Sequence, residues 1–286
     1  MGRIRKGLHL TRISWDVLRQ DGSLLLLPLL SGLAAIAVIA ATFFGLFWDE
    51  AQALIDGTTT TSDAMSPLEW VVFALVSYVL SYIAIFFNVA LMCAADERMN
   101  GGDPTVASAL RAASEHARAI APWAAVSVVV QSIIRAIEER GGIVGQIIGT
   151  VIGVGWALAT YLILPVLIFE GVGVREAFTR SKNLFIATWG ELVTGEIGMS
   201  LIAFLISLLA IPSGLIIAAG GEPVMIGIGI GVVVAWFIIV GAAFSAMNAI
   251  FRVALYRYAT EGAAPAGFES AGFDTMFPPR RKRRMF

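Results

Sequence analysis

Residues 141–169 read GGIVGQIIGTVIGVGWALATYLILPVLIF. No charged side chain interrupts this run, which exceeds the ~20 apolar residues a membrane crossing needs. Gly141, Gly145, Gly149 and Gly153 recur at every fourth position and line one slowly drifting helix stripe. In water each glycine would weaken such a helix by ~1 kcal/mol. In lipid it lets a second helix approach closely, and dispersion contacts replace the missing side chain. The stripe is therefore a helix-packing surface within one chain, a contact between copies, or the wall of a permeation path. Each reading makes the chain a polytopic membrane protein.

Composition points the same way. Hydrophobic residues make up 58% of the 286 and charged residues 14%, whereas soluble domains are about one quarter charged. The length suits one compact helical domain without a separate soluble catalytic unit. Cys93 is the single cysteine, which excludes an internal disulfide and a thiolate zinc cage. His9 and His116 are the only histidines. No cofactor is expected.

Upstream of the glycine stripe, the first residues are basic. Arg3, Arg5, Lys6, Arg12 and Arg19 face only Asp16 and Asp21. Ile4, Leu8, Thr11, Trp15 and Leu18 keep helical spacing. Residues 3–20 thus form an amphipathic helix expected to lie in the headgroup layer. Arg5, Arg12 and Arg19 would meet anionic lipid there. A cleavable signal peptide is the less favoured alternative.

Spans are expected at about 24–47, 68–94, 120–137, 141–169, 190–219 and 224–256. Asp103-Pro104 reads as a helix cap followed by proline in a first turn. It opens a second interfacial helix, with Val106, Leu110, Ala113, Ala117 and Ile120 on one stripe. Glu138-Glu139-Arg140 reads as a tight turn between spans. A third interfacial helix begins at Val174. The expected fold is all-α: six transmembrane helices and three cytoplasmic interfacial amphipathic helices. They form one domain over 1–260, followed by an irregular cytoplasmic tail over 261–286.

The order interfacial helix, span, span recurs three times. NVALMCAADERMNGGDP from Asn88 and NAIFRVALYRYATEGAAP from Asn248 share an asparagine, an apolar turn, a charged exit, a glycine and a proline. A threefold repeat explains this, and so does chance similarity among apolar helices. Alternation puts Arg135 and Arg140 on one side and every other Lys and Arg on the other. The positive-inside rule then places both termini in the cytoplasm.

The opening GLHLTRISWDVLRQDGSLLLLPLLSG resembles a family of uncharacterised prokaryotic membrane proteins. In that family a short basic Ser-Trp helix precedes an L-L-x-x-P-L-x-S-G span start. The exit ALYRYATEGAAPAGFE and the later FPPRRK look like that family's end. The architecture is also loosely similar to the membrane domain fused to some glycerophosphodiester phosphodiesterases. The resemblance implies a prokaryotic inner-membrane protein and assigns no activity or catalytic residue.

Chemistry-bearing motifs are absent from the sequence. There is no Gly-x-x-x-x-Gly-Lys-Ser/Thr loop, no His-Glu-x-x-His and no Gly-x-Ser-x-Gly. No enzymatic activity is expected. The tail run Arg280, Arg281, Lys282, Arg283 and Arg284 attracts anionic headgroups at ~1 kcal/mol per charge. Nucleic-acid binding is not expected, since no reading element accompanies the run. The buried polar candidates are Glu196, Arg252, Asn248 and Asn88. Glu196 and Arg252 fall at overlapping depths, so they either pair or separately reach headgroups and water. The expected function is a non-enzymatic scaffold, lipid-organising or accessory protein, with a membrane-protein partner or a second copy as associates. The alternative is a transporter or channel with a polar site in the cytoplasmic half.

Overall fold

The computed structural model describes residues 14–15, 22–56, 66–219, 222–262 and 268, with the side chains of 23, 49–51, 54, 187–199, 201, 218 and 223 excluded. The described residues hold ten α-helices and no strand. They are α1 (Leu26–Thr42), α2 (Trp48–Ile55), α3 (Pro67–Met99), α4 (Val106–Glu115), α5 (Ala117–Arg140), α6 (Gly142–Ala159), α7 (Ile163–Phe169), α8 (Val174–Leu208), α9 (Ala210–Ala218) and α10 (Pro223–Glu261). A π-helical turn, Phe43–Phe47, joins α1 to α2. Five helical stretches are long and apolar enough to cross a membrane: Leu26–Phe47, Pro67–Met99, Ala117–Arg140, Gly142–Phe169 and Val224–Glu261. The stretch expected as a span at 190–219 is helical too, divided between α8 and α9. Its apolar part, Ile202–Ile217, is shorter than the other five.

Local chemistry sets the boundaries. Ser66 caps α3: its hydroxyl accepts from the Glu69 N–H at 3.3 Å, and the Glu69 carboxylate accepts from the Ser66 N–H. Pro67 occupies the first turn, where its missing N–H costs nothing. α4 is capped by Thr105 rather than Asp103. The Thr105 hydroxyl accepts from the Ser108 N–H at 3.0 Å, leaving Pro104 outside the helix. Asp103 instead faces Arg98 at 3.3 Å. The expected turn at 138–140 is also displaced, because α5 continues through Arg140. The chain reverses at Gly141–Gly142, where Gly142 adopts φ +55°, a left-handed conformation glycine takes without strain.

Two breaks share one cause. Proline has no N–H and clashes with the carbonyl four residues earlier. Pro165 therefore disturbs Tyr161, and α6 stops at Ala159 with α7 restarting at Ile163. Pro212 disturbs Leu208, where α8 stops and α9 follows. The expected third interfacial helix is not a separate element. α8 runs unbroken for 35 residues from Val174, since no proline or capping pair interrupts it. The helix expected at 3–20 lies outside the described residues, apart from Ser14 and Trp15.

Packing is uneven along the bundle. α1 pairs with α3, α5 with α6 and α9 with α10, while α3 and α10 also contact each other. Buried side chains concentrate where α3 and α10 end, which we call the charged end. Burial in α3 begins at Val89, and all of 161–168 is buried. In α10 burial is dense only from Ala246 to Tyr258. Trp123, Trp156 and Phe178 stack at 5.7 Å and 5.5 Å, joining α5, α6 and α8. Toward the opposite end the same helices expose large apolar residues, among them Ile36, Phe73, Ile148 and Ile239. Water would penalise that surface at roughly 25 cal/mol per Å², and hydrocarbon would not.

Glycines set the closest approaches toward that end. A Cβ on Gly145 would overlap the Ile137 carbonyl oxygen, and one on Gly149 would overlap the Glu138 side chain. Both glycines are buried against α5. Gly153 leaves ordinary contact distance to Ile134, and Gly141 is exposed at the turn. A second contact joins α9 to α10, where a Cβ on Gly214 would overlap Val233.

Candidate functional site: a polar junction at the charged end

α3 and α10 both finish at the charged end, so they run in the same direction. Arg257 fixes their register. Its Nε and Nη2 each lie 2.7 Å from Asp96 Oδ1, and its Nη1 donates to Asn100 Oδ1 at 2.8 Å. Asp96 is 21% exposed and Arg257 17%, so solvent screens this pair far less than a surface one.

A second polar contact ties α10 to α7 and α8. The Tyr256 hydroxyl donates to Glu170 Oε1 at 3.1 Å, and Arg180 Nε meets Glu170 Oε2 at 2.6 Å. The hydrogen bond to Glu170, and then its charge, raise the Arg180 guanidinium above its ordinary value. Phe169 stacks on Tyr256 at 5.5 Å. Asp96 and Glu170 therefore each already hold an arginine.

Asn248, Arg252 and Tyr256 are spaced by four and lie on one stripe of α10. Arg252 stands five residues before Arg257, about 7–8 Å deeper at 1.5 Å per residue. It points to a different neighbour than Arg257 does. Its guanidinium carbon sits 4.5 Å from the centre of the Tyr161 ring. Such contacts contribute about 0.5–2 kcal/mol, more as they are desolvated. The residue is half-buried, but its Nε is fully buried without a protein acceptor. One turn deeper, Asn248 Oδ1 is buried without a donor. Asn88 Oδ1 is in the same condition on α3, eight residues before Asp96 and hence about 12 Å beneath it.

The proline break presents Tyr161. Ser181 of α8, fully buried, spans the gap between α6 and α7. Its hydroxyl donates to the Ala159 carbonyl at 2.8 Å and accepts from the Leu162 N–H at 3.2 Å. The backbone groups left open at this break are thus partly satisfied by a side chain from another helix, which holds the backbone on either side of Tyr161.

Of the four expected polar-cluster residues, the structure puts Asn248 and Arg252 on one stripe and Asn88 at comparable depth. Glu196 belongs to α8, but its side chain lies outside the described residues. So do the expected headgroup contacts Arg5, Arg12, Arg19, Arg280, Arg281, Lys282, Arg283 and Arg284. Sequence reasoning missed Tyr161, Glu170, Ser181 and the Asp96–Arg257 pair. Among the described residues, no group of three or more His, Cys, Asp or Glu is arranged to hold a metal ion.

The profile described as "Family of unknown function (DUF6159)" matches residues 68–268. The match covers α3 through α10 and begins beyond the Ser-Trp opening. No curated protein and no solved structure matches the chain.

Proposed function

The chain belongs to this family of unknown function, and from that membership and the geometry of the bundle we propose a non-enzymatic membrane protein that organises lipid or assists a membrane-protein partner. One observation carries the reading. The charged end is closed by dense burial and cross-helix polar contacts, whereas the rest of the helices expose apolar side chains. That surface suits hydrocarbon or the spans of another protein. The stretch at 190–219 completes six spans, and the lopsided Lys and Arg distribution puts both termini in the cytoplasm. The resemblance of the opening and exit sequences supports a prokaryotic cell membrane as the location. The polybasic tail and the amino-terminal arginines are assigned to anionic headgroups, with no role in nucleic-acid binding.

The experiment is purification in mild detergent followed by identification of co-purifying lipid and protein, alongside flux assays in proteoliposomes. A retained lipid or partner with no flux above empty vesicles is expected. Solute flux above that background, lost in Arg252→Gln, would replace this reading.

That second reading, a transporter or channel, has its own observation. Arg252 Nε, Asn248 Oδ1 and Asn88 Oδ1 are buried polar atoms without protein partners. Polar groups within spans are costly and often mark a ligand path. They are few, however, among the described residues.

A further inference from the structure

We propose that Arg252, seated on Tyr161 with Asn248 one turn deeper, binds a phosphate group that also presents a hydroxyl donor. The inference rests on the reading of this bundle as a lipid-contacting membrane protein and gives it a ligand chemistry. Three observations meet at the site. The Arg252 guanidinium is 4.5 Å from the Tyr161 ring centre, which fixes it without neutralising it. Two carboxylates of the junction are taken, Asp96 by Arg257 and Glu170 by Arg180 and Tyr256. Among the described residues, none pairs with Arg252 in an ion pair. With no counter-charge for it among the described residues, a cation at this depth favours an anion.

The unused hydrogen-bonding atoms narrow the choice. Arg252 Nε lacks an acceptor and Asn248 Oδ1 lacks a donor. Both atoms are occluded in the unliganded packing, and a small side-chain displacement brings a phosphate oxygen to the first and a hydroxyl to the second. Guanidinium and phosphate also match in planar, bidentate geometry. A phospholipid with a hydroxylated headgroup and free inorganic phosphate in its protonated form both offer this pairing. The exposed apolar flanks of the helices leave room for acyl chains in the first case.

The full chain is purified in a neutral detergent and its thermal unfolding followed with phosphatidylglycerol, phosphatidylcholine or inorganic phosphate added. Phosphatidylglycerol is expected to raise the midpoint progressively with concentration and phosphatidylcholine to leave it unchanged. A rise with inorganic phosphate alone identifies the small anion as ligand. Arg252→Gln should weaken the response about tenfold or more, which corresponds to one charge-assisted contact. Asn248→Asp serves if that variant does not fold. Its carboxylate, one turn from Arg252, supplies an internal counter-charge, so the protein should fold and lose the response. A wild-type protein indifferent to every additive overturns the proposal. An equal response in Arg252→Gln overturns it too. Glu196→Gln gaining a response that the wild type lacks would place the counter-charge on Glu196 and also overturn it. None of these failures produces flux in proteoliposomes, so the broader reading is tested separately.

Discussion

Arg257 and Asp96, 161 residues apart in sequence, meet at 2.7 Å and join the ends of the two longest apolar spans. Both side chains are about four-fifths buried. Arg98 and Asp103 form a contrasting pair at 3.3 Å, with Asp103 94% exposed. The two pairs have similar chemistry and different surroundings, and the surroundings decide their worth.

Asp96→Asn should therefore destabilise the protein by about 1–3 kcal/mol, because Arg257 loses its charged acceptor in a partly dry site. Asp103→Asn should change stability by about 0.5 kcal/mol or less. Unfolding midpoints in one detergent, measured side by side, check the contrast. Equal losses would show that burial at the charged end does not matter.

Gly149→Leu should lower stability by several kcal/mol or abolish expression, since even a Cβ there overlaps Glu138. Ala157→Leu, at an exposed position of the same helix, is the milder control. Unchanged expression and melting of Gly149→Leu would show that α5 and α6 do not touch at this glycine.

Ser181→Ala should cost about 1–3 kcal/mol, because the Leu162 N–H and the Ala159 carbonyl lose their bridge. Ser213→Ala provides a comparison, since the Ser213 hydroxyl bonds within its own helix end, to the Ala210 carbonyl at 2.7 Å. Melting of the two variants tests whether the α6–α7 gap depends on a side chain from α8.

Parts of this arrangement were legible in the sequence, and the reason differs by residue. The Gly145 and Gly149 spacing is a local period, and a local period is visible without a partner. Asn248 and Arg252 stand out because a polar residue in an apolar run is costly wherever it points. Tyr161 gave no signal, since a tyrosine in an apolar stretch is ordinary until an arginine from α10 arrives. Asp96 and Arg257 each read as a routine charged helix exit. Their pairing belongs to the fold and to no local pattern. The continuity of α8 through the expected third interfacial helix was hidden for a related reason. A half-buried stripe such as Val174, Phe178, Ser181 and Phe185 has the same spacing against protein as against headgroups.

Orientation is tested by labelling in a Cys93→Ala background, which removes the native thiol. A cysteine replacing Thr60 should react with an impermeant thiol reagent outside intact cells, and one replacing Gly262 should react only after lysis. The reverse pattern would invert the proposed topology and place the polar junction outside.

The most direct test of the account asks what surrounds the exposed apolar side chains away from the charged end. Single cysteines replace Ile36, Phe73, Ile148 and Ile239 in the Cys93→Ala background, in native membranes. Hydrocarbon or a packed partner there predicts reaction with a membrane-soluble maleimide, or with neither reagent, and no reaction with a charged thiosulfonate. Labelling of these positions by the charged reagent would reveal an aqueous path between the helices and contradict the scaffold reading.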